Sequence, residues 1–297
     1  IDGKSISKLN KRFSFLCSKI EDASQRLFFE ANTLTHNGKY DDAFEAFVEA
    51  NRIKSDEVAA SVKNEIQRND ILLKRIQRWS PHLQRHSNSL VKQLFLLGPS
   101  RSGKSSLEKL MMGIPKVYPM SEGINFNLLN EMVNGNWKHQ NLDMKQIFYH
   151  DENVLLNAEK SLVTSTFPES LFYIDRLLDG FVNSFCILVK RDQKDLACEI
   201  FNKEYTNGHF YSYDHSSIQK YLDTYAEIWE EVKLKAPHRA LELEFEDVLT
   251  KPQEVLMRIS KFTNMNLRSN NAQQSSTKKR ISPFRDLYAQ KFEPYIN

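Results

Sequence analysis

Residues 94–105, LFLLGPSRSGKS, restrict the fold more than any other segment of the chain. The four apolar residues predict a short buried strand. The residues after it, from Gly98 through Gly103, Lys104 and Ser105, match the G-x-x-x-x-G-K-[ST] pattern of phosphate-binding loops. The amphipathic run SSLEKLMM then predicts a helix, whose N-terminus would offer N–H groups and a positive dipole end to an anion.

The charges around this loop also favour an anion. Arg101 and Lys104 stand where the helix dipole disfavours cations, and no acidic residue occurs between them and Glu108. A bound anion would relieve this conflict. The alternative is an ordinary Gly-Ser turn before a helix, which the combined glycine spacing and flanking pattern make the weaker interpretation.

Composition narrows the protein class. The chain has 297 residues, of which 40% are hydrophobic, enough for one large domain or two modest ones. A net charge of +3 with mixed signs is too small to imply general nucleic-acid binding. No apolar stretch reaches the roughly 20 residues of a membrane span. Three cysteines without paired spacing, and no visible signal peptide, predict a reducing, cytoplasmic location.

The first 88 residues predict a helical region. Gly38 breaks the apolar periodicity into two helices, and Tyr40 and Phe44 lie on one face of the second. This pair matches one hairpin of the tetratricopeptide (TPR) type, without a second good copy. The charged segment 52–90 is also predicted to be helical. We expect the hairpin to pack on its neighbouring domain, and a separate protein contact through this region is the alternative.

Residues 89–297 predict an α/β domain, since short apolar runs alternate with amphipathic segments. The polar segment 264–277 predicts a loop. The fold class expected is a P-loop-like, three-layer α/β fold with a parallel sheet. The predicted strands are 93–97, 161–164, 184–190 and 240–245, and the predicted helices are 105–112, 169–179, 193–204, 216–234 and 252–262.

Five segments in order resemble one known family. They are GKYDDAFEAFVEAN, LLGPSRSGKSSLEKLM, FCILVKRDQKDLACEIF, NGHFYSYDHSSIQKYLDTYAEIWEEV and LELEFEDVLTKPQEVLMRISKFTNM. The chain resembles sulfotransferases that use 3′-phosphoadenosine-5′-phosphosulfate (PAPS), specifically the bacterial group with tetratricopeptide repeats, related to the tyrosylprotein sulfotransferases. The resemblance implies transfer of a sulfuryl group from PAPS to an acceptor hydroxyl of a carbohydrate, protein or small alcohol, leaving the product PAP.

The resemblance also implies two phosphate sites. The phosphosulfate site would comprise the loop residues Arg101, Ser102, Gly103, Lys104, Ser105 and Ser106. Arg191 would hold the 3′-phosphate. From the residues alone, Arg191 follows an apolar strand, and ligands bind at the carboxyl ends of strands in open α/β sheets. A guanidinium can bind phosphate through two parallel hydrogen bonds, but a surface salt bridge with Asp192 or Asp195 is an equal alternative.

Two further nucleotide contacts follow only from the resemblance. Glu199 stands where the family has a serine that binds the 3′-phosphate, and a carboxylate there would repel phosphate unless it turned away. Arg280, in the cluster TKKR, is the counterpart of a basic segment that closes over the nucleotide. The alternative for that cluster is a solvated run of charge.

For the chemistry, Glu122 is the predicted general base, and Arg101 and Lys104 would stabilise the leaving oxygen and the sulfonyl group. No metal is required. Glu122 follows the loop at the spacing of the catalytic Glu in the tyrosylprotein branch. Burial near Met120 and Phe126 would make its carboxylate a stronger base. An exposed loop carboxylate is the alternative. The rival bases are His139, His150, His209 and His215.

Some residues depart from the family pattern and keep two other functions open. Lys104 replaces the usual threonine, and TSTFPES at residues 164–170 lacks the Lys or His that relatives often place there. A kinase or nucleoside triphosphatase fits the loop more literally, and would need a carboxylate such as Asp192 for Mg²⁺. A catalytically degenerate, nucleotide-binding relative acting as a binding protein is the third possibility.

Overall fold

The computed structural model describes residues 20–81, 91–123, 162–181, 183–206, 208–267 and 281–292. Short 3₁₀ turns add Pro168–Tyr173, Phe210–Tyr213 and Pro237–Arg239. In chain order, the helices and strands are α1 (Ala23–His36), α2 (Tyr40–Gln77), β1 (Lys92–Leu97), α3 (Lys104–Met111), β2 (Val117–Pro119), β3 (Leu162–Ser165), α4 (Ile174–Gly180), β4 (Ser184–Lys190), α5 (Gln193–Phe201), α6 (His215–Lys235), β5 (Ala240–Glu244), α7 (Phe245–Thr250), α8 (Pro252–Thr263) and α9 (Arg285–Phe292).

Contacts divide the chain into two compact units. The first takes its described residues from Ile1–Arg68, Gln193–Leu222 and Ile281–Asn297. The second takes them from Asn69–Asp192 and Asp223–Arg280. Each unit therefore joins segments that are distant in sequence. The predicted division into two domains, residues 1–88 and 89–297, stays a prediction.

The first unit contains the predicted helical hairpin. Asp22 caps α1 by accepting hydrogen bonds from the backbone N–H of Ser24 at 2.8 Å and of Gln25 at 3.1 Å. Gly38 follows α1 with a φ of +73°, a left-handed conformation that glycine adopts without steric cost. Phe28 of α1 then meets Phe47 of α2, with ring centroids 6.1 Å apart. The turn therefore brings the two apolar faces together.

Helix α2 differs from the sequence prediction. It is one continuous helix of 38 residues, which joins the second hairpin helix to the charged helical segment that the sequence predicted over 52–90. No Gly or Pro occurs between Tyr40 and Gln77 to interrupt it. Its buried Asn51 donates from Nδ2 to the carbonyl oxygen of Phe201, 2.9 Å away. Residues 82–90 of the predicted charged segment lie outside the described residues. The assignment of the hairpin to the TPR type stays a prediction.

The second unit contains the sheet. Within the described residues it has five strands in the order β2-β3-β1-β4-β5, and every neighbouring pair is parallel. The predicted parallel α/β fold is confirmed. The sequence missed β2, because VYP is too short to show a pattern. It also missed α9 and α7. The last strand was predicted over residues 240–245, but it ends at Glu244, and Phe245 begins α7.

Both faces of the central strand β1 are buried by helices. Leu94 and Leu96 belong to a core that includes residues of α3, α7 and α8. Phe95 and Leu97 point to the opposite face and are also fully buried. There the Phe95 ring lies 6.1 Å from that of Phe181, which follows α4. Two covered faces make this unit three layers deep and explain why β1 reads as an unbroken apolar run.

None of the described helices combines the length and apolar character that crossing a membrane requires.

Two buried thiols give a first prediction. Burial raises the pKa of Cys186 and that of Cys198 from an ordinary 9.0 to about 12 each. Because the thiolate is the nucleophile, iodoacetamide at pH 8 should label neither residue in the native Cys17→Ser variant and both in denaturant, as read by mass spectrometry. Labelling of the native protein at the rate of a free thiol would contradict this prediction.

The same two thiols predict how stability depends on pH. Because their pKa values are raised in the folded state, the stability that they contribute is complete below pH 9.0 and is lost between pH 9.0 and about 12.

Candidate functional site

The loop after β1 turns sharply and is held by a buried tyrosine. Gly98 has a φ of +148°, and its N–H donates to the hydroxyl of Tyr225 at 2.7 Å. A Cβ at Gly98 would overlap the side chain of Ser102 and lie 3.2 Å from the carbonyl oxygen of Val189. Burial raises the pKa of Tyr225, so its hydroxyl stays neutral and can accept this bond. Glycine is therefore required here, as the sequence pattern indicated.

Helix α3 begins directly after the loop with an open N-terminus. Among the described residues, no side chain caps it and no acidic residue stands in its first turn. Gly103 precedes it with a φ of +101°. Ser105 is exposed and Ser106 half-buried. The first N–H groups of α3 thus have the arrangement that binds anions at helix N-termini.

Two of the predicted loop side chains, Ser102 and Lys104, are buried. Lys104 is only 4% exposed, and its Nζ donates to the carbonyl oxygen of Pro99 at 3.2 Å. The Ser102 hydroxyl is fully buried and has no hydrogen-bond partner among the described residues. Arg101 is exposed and has a φ of +69°, which is unusual for a side chain with a Cβ. The loop therefore has one buried cation, Lys104, and one exposed cation, Arg101.

Arg191 lies beside the loop. It follows β4, which pairs with β1 in parallel, so both strands end at the same edge of the sheet. Arg191 is 8% exposed, and its Nη1 donates to the carbonyl oxygen of Arg101 at 2.9 Å. The structure thus brings together the two cationic positions that the sequence singled out separately.

Phe245 is a site residue that the sequence did not reveal. It is the first residue of α7, and a Cβ on Gly103 would overlap its ring. The guanidinium of Arg191 lies over the same ring, 5.1 Å from the centroid. One aromatic ring therefore supports both the loop and the arginine. A buried aromatic at a strand–helix junction was the only sequence signal, and it looked like ordinary core.

Glu122 lies in a turn after β2 and is exposed, so the burial expected for it is not found. Its neighbour Ser121 is tied to the buried Glu108 of α3. The Ser121 N–H donates to Glu108 Oε1 at 3.2 Å, and the Ser121 hydroxyl donates to Oε2 at 3.1 Å. Thr164 of β3 donates its hydroxyl to Glu108 Oε1 at 2.8 Å. The turn of Glu122 is thereby fixed to the helix that follows the loop.

The other predicted site residues belong to the first unit or lie outside the described residues. Glu199 lies on α5, in the first unit. His209 and His215 also belong to the first unit, where each ring nitrogen Nδ1 has a tyrosine hydroxyl within hydrogen-bond range. Arg280, His139 and His150 fall outside the described residues. Within the described ranges, no group of three or more His, Cys, Asp or Glu residues could hold a metal ion.

Comparison with known proteins identifies the family. A family model described as "Sulfotransferase family" matches residues 93–269, more than half of the chain. The chain belongs to the sulfotransferase family. The match begins in β1 and includes the loop, Glu108, Arg191 and Phe245. The loop after β1, which the sequence singled out first, lies within the matched residues.

Individual relatives are distant. An uncharacterized protein of Aquifex aeolicus (strain VF5) is 22% identical over 248 residues, covering 75% of this chain and 32% of that relative, so the chain spans about a third of its length. A sulfotransferase from Alicyclobacillus acidocaldarius is 15% identical with a TM-score of 0.40, over 68% of this chain and 92% of that one. The sulfotransferase domain of the Synechococcus PCC 7002 olefin synthase is 13% identical with a TM-score of 0.44, over 73% and 100%.

The contact between Phe245 and the loop after β1 leads to a prediction. Gly103→Ala would force a Cβ into the ring and displace both the loop and Arg191, so pyrophosphate binding measured by calorimetry should weaken at least tenfold (~1.4 kcal/mol).

Gly113→Ala is the matched control. Gly113 also has a positive φ, +81°, but a Cβ there has nothing within 4 Å. This variant should lose about 1 kcal/mol of stability from backbone strain while binding pyrophosphate normally. Equal losses of binding in both variants would show that contact with Phe245 is not what holds the loop.

Proposed function

We propose that this chain transfers the sulfuryl group of PAPS to a hydroxyl group of an acceptor molecule. The observation that carries the proposal is the position of Arg191 beside the glycine loop, at one edge of a parallel sheet. PAPS has anionic groups at two separate positions, the 5′-phosphosulfate and the 3′-phosphate. A site for it needs two cationic positions on the same edge, which this arrangement supports.

The loop suits the phosphosulfate. The open N-terminus of α3 offers backbone N–H groups, and Lys104 adds a cation held close to them. The buried hydroxyl of Ser102 lacks a hydrogen-bond partner among the described residues, and a ligand oxygen would satisfy it. The loop therefore has donors of the kind that an anionic group requires.

Arg191 suits the 3′-phosphate and connects that phosphate to the loop. Its guanidinium is planar and always charged, which allows a paired grip on phosphate oxygens. The same guanidinium contacts the Arg101 carbonyl oxygen, so its position and the loop conformation depend on each other. Glu199 and Arg280 stay proposals, and a carboxylate at the former position would weaken nucleotide binding unless it pointed away.

In the reaction we propose, Glu122 removes the proton from the acceptor hydroxyl. PAPS supplies the sulfuryl group and the leaving phosphate. The acceptor oxygen forms a bond to sulfur while the bond between sulfur and the phosphate oxygen breaks, giving a sulfate ester, PAP and a protonated Glu122. Lys104 and Arg101 stabilise the negative charge on the leaving oxygen. An exposed carboxylate can reach an acceptor that enters from solvent, which fits the position of Glu122.

The acceptor class and the compartment belong to the same proposal. A carbohydrate, a protein or a small alcohol would each provide the hydroxyl. A cytoplasmic location is supported by Cys186 and Cys198, which are both buried free thiols.

Nucleotide binding tests the two phosphate positions. Arg191→Met should weaken PAP binding at least tenfold (~1.4 kcal/mol), because the 3′-phosphate loses its partner. Binding of AMP, which has only the 5′-phosphate, should change little. Isothermal titration calorimetry with and without Mg²⁺ measures both, and PAP should bind equally in each condition.

Lys190→Met is the control, since it removes a neighbouring exposed cation that pairs with Glu242. It should leave the ratio of PAP to AMP affinity unchanged. If Arg191→Met weakened AMP as much as PAP, then Arg191 would act through the loop and not on the 3′-phosphate. Tight ATP binding that requires Mg²⁺, without PAP binding, would support the kinase or triphosphatase alternative.

Glu122→Gln tests the base. Loss of the proton acceptor should lower kcat on the order of 100-fold while PAP affinity stays the same. A sulfate-transfer assay with radiolabelled PAPS over a panel of sugars, peptides and small alcohols measures this and reports the acceptor class. Glu254→Gln, an exposed carboxylate on α8, controls for the change in charge.

Full transfer by the Glu122→Gln variant would remove Glu122 from its role. PAP binding by the wild-type chain, without transfer to any acceptor of the panel, would instead favour the degenerate binding protein.

A further inference from the structure

The carboxylate of Glu108 connects three elements at the site edge. It lies on α3, one turn after Lys104, so the two side chains share a helix face. Glu108 is 5% exposed and accepts three hydrogen bonds, two from Ser121 and one from Thr164. Thr164 belongs to β3 and Ser121 to the turn after β2. This carboxylate takes no part in the reaction proposed above.

Ser121 is exposed, but hydrogen bonds fix its N–H, its hydroxyl and its carbonyl oxygen. Its φ of +49° is left-handed, which a residue with a Cβ adopts only when its surroundings fix it. Besides its two bonds to Glu108, its carbonyl oxygen accepts from the N–H of Thr166 at 2.8 Å and lies 3.3 Å from the donating hydroxyl of Ser165. The backbone that leads into Glu122 therefore has one defined direction.

We propose that Glu108 is a positioning residue for Glu122, an inference that rests on the proposed function. By fixing Ser121, it fixes where the next side chain emerges and couples that direction to the helix that begins at the loop. The rigid segment of α3 between Lys104 and Glu108 is about 6 Å long. The loop that binds the phosphosulfate and the turn that carries the base thus share one support.

The donors around Glu108 distinguish positioning from direct catalysis. A glutamine can accept from the Ser121 N–H and the Thr164 hydroxyl through its oxygen, and its amide can donate to the Ser121 hydroxyl. Glu108→Gln should therefore keep most of the activity. Glu108→Ala removes all three acceptors, and kcat should fall on the order of 10- to 100-fold, with little change in PAP affinity.

The decisive experiment is a double-mutant cycle with Glu122→Gln, using kcat for sulfate transfer and calorimetry for PAP. If Glu108 acts through Glu122, then Glu108→Ala should lower kcat in the wild-type background but have no further effect in the Glu122→Gln background. A purely structural role would lower the active fraction equally in both backgrounds. An equal fall in both backgrounds would overturn the proposal, and so would a Glu108→Gln variant as inactive as Glu108→Ala.

A milder variant covers loss of folding. If thermal denaturation shows that Glu108→Ala does not fold, Ser121→Ala takes its place in the same cycle, since it removes one bond to Glu108 and leaves the carboxylate intact. It should lower kcat several-fold in the wild-type background only, and an equal fall in both backgrounds would overturn the proposal. Failure of the proposed function looks different: the wild-type chain would not transfer sulfate from PAPS, or Glu122→Gln would keep full activity.

Discussion

The packing of the Phe245 ring against Gly103 is the contact on which the site depends. A side chain at Gly103 would overlap the ring, so the close approach exists only because that residue is glycine. The ring also lies under the guanidinium of Arg191, which in turn donates to the Arg101 carbonyl oxygen. Strand β5, strand β4 and the loop after β1 are joined at this point.

The loop and its surroundings also concentrate positive charge. Lys104 and Arg191 are both buried beside a helix N-terminus that no side chain of the described residues caps. Cations at the positive end of a helix dipole are unfavourable unless other groups offset their charge. A backbone carbonyl oxygen accepts a hydrogen bond from each of them, and an anion at the helix N-terminus would offset their charge further.

On the side of β1 where β3 and β2 lie, hydrogen bonds, and not an aromatic ring, fix the turn that carries Glu122. The chain reaches Glu122 through Ser121, whose left-handed backbone is held by a carboxylate on α3 and by groups at the end of β3. Helix α3 thus has the loop at its start and the turn of Glu122 fixed near its end. This shared element is the physical basis for the proposal that anion binding and proton transfer occur in one site.

Much of the fold was predictable from local patterns. The strands β1 and β4 have strong apolar runs, β3 begins with two apolar residues, and β5 alternates apolar and acidic residues. Alternation of strands with helices indicated parallel pairing. Strand β2 was missed because three residues show no periodicity. The helical character of α2 was predicted, but its continuity over 38 residues was not, because its second half is charged and lacks the apolar pattern of its first half.

The sequence by itself determined the loop, its glycines, the cation at Arg191 and the parallel sheet, since each depends on a short pattern or on the identity of one residue. Only the tertiary structure decided that Arg191 meets the loop, that Phe245 supports both, and that Glu108 fixes the turn of Glu122. These contacts join residues from about 13 to 140 positions apart, such as Ser121 with Glu108 and Phe245 with Gly103. Local periodicity cannot report such pairs, because parallel strands bring distant segments to one edge only after the sheet has formed.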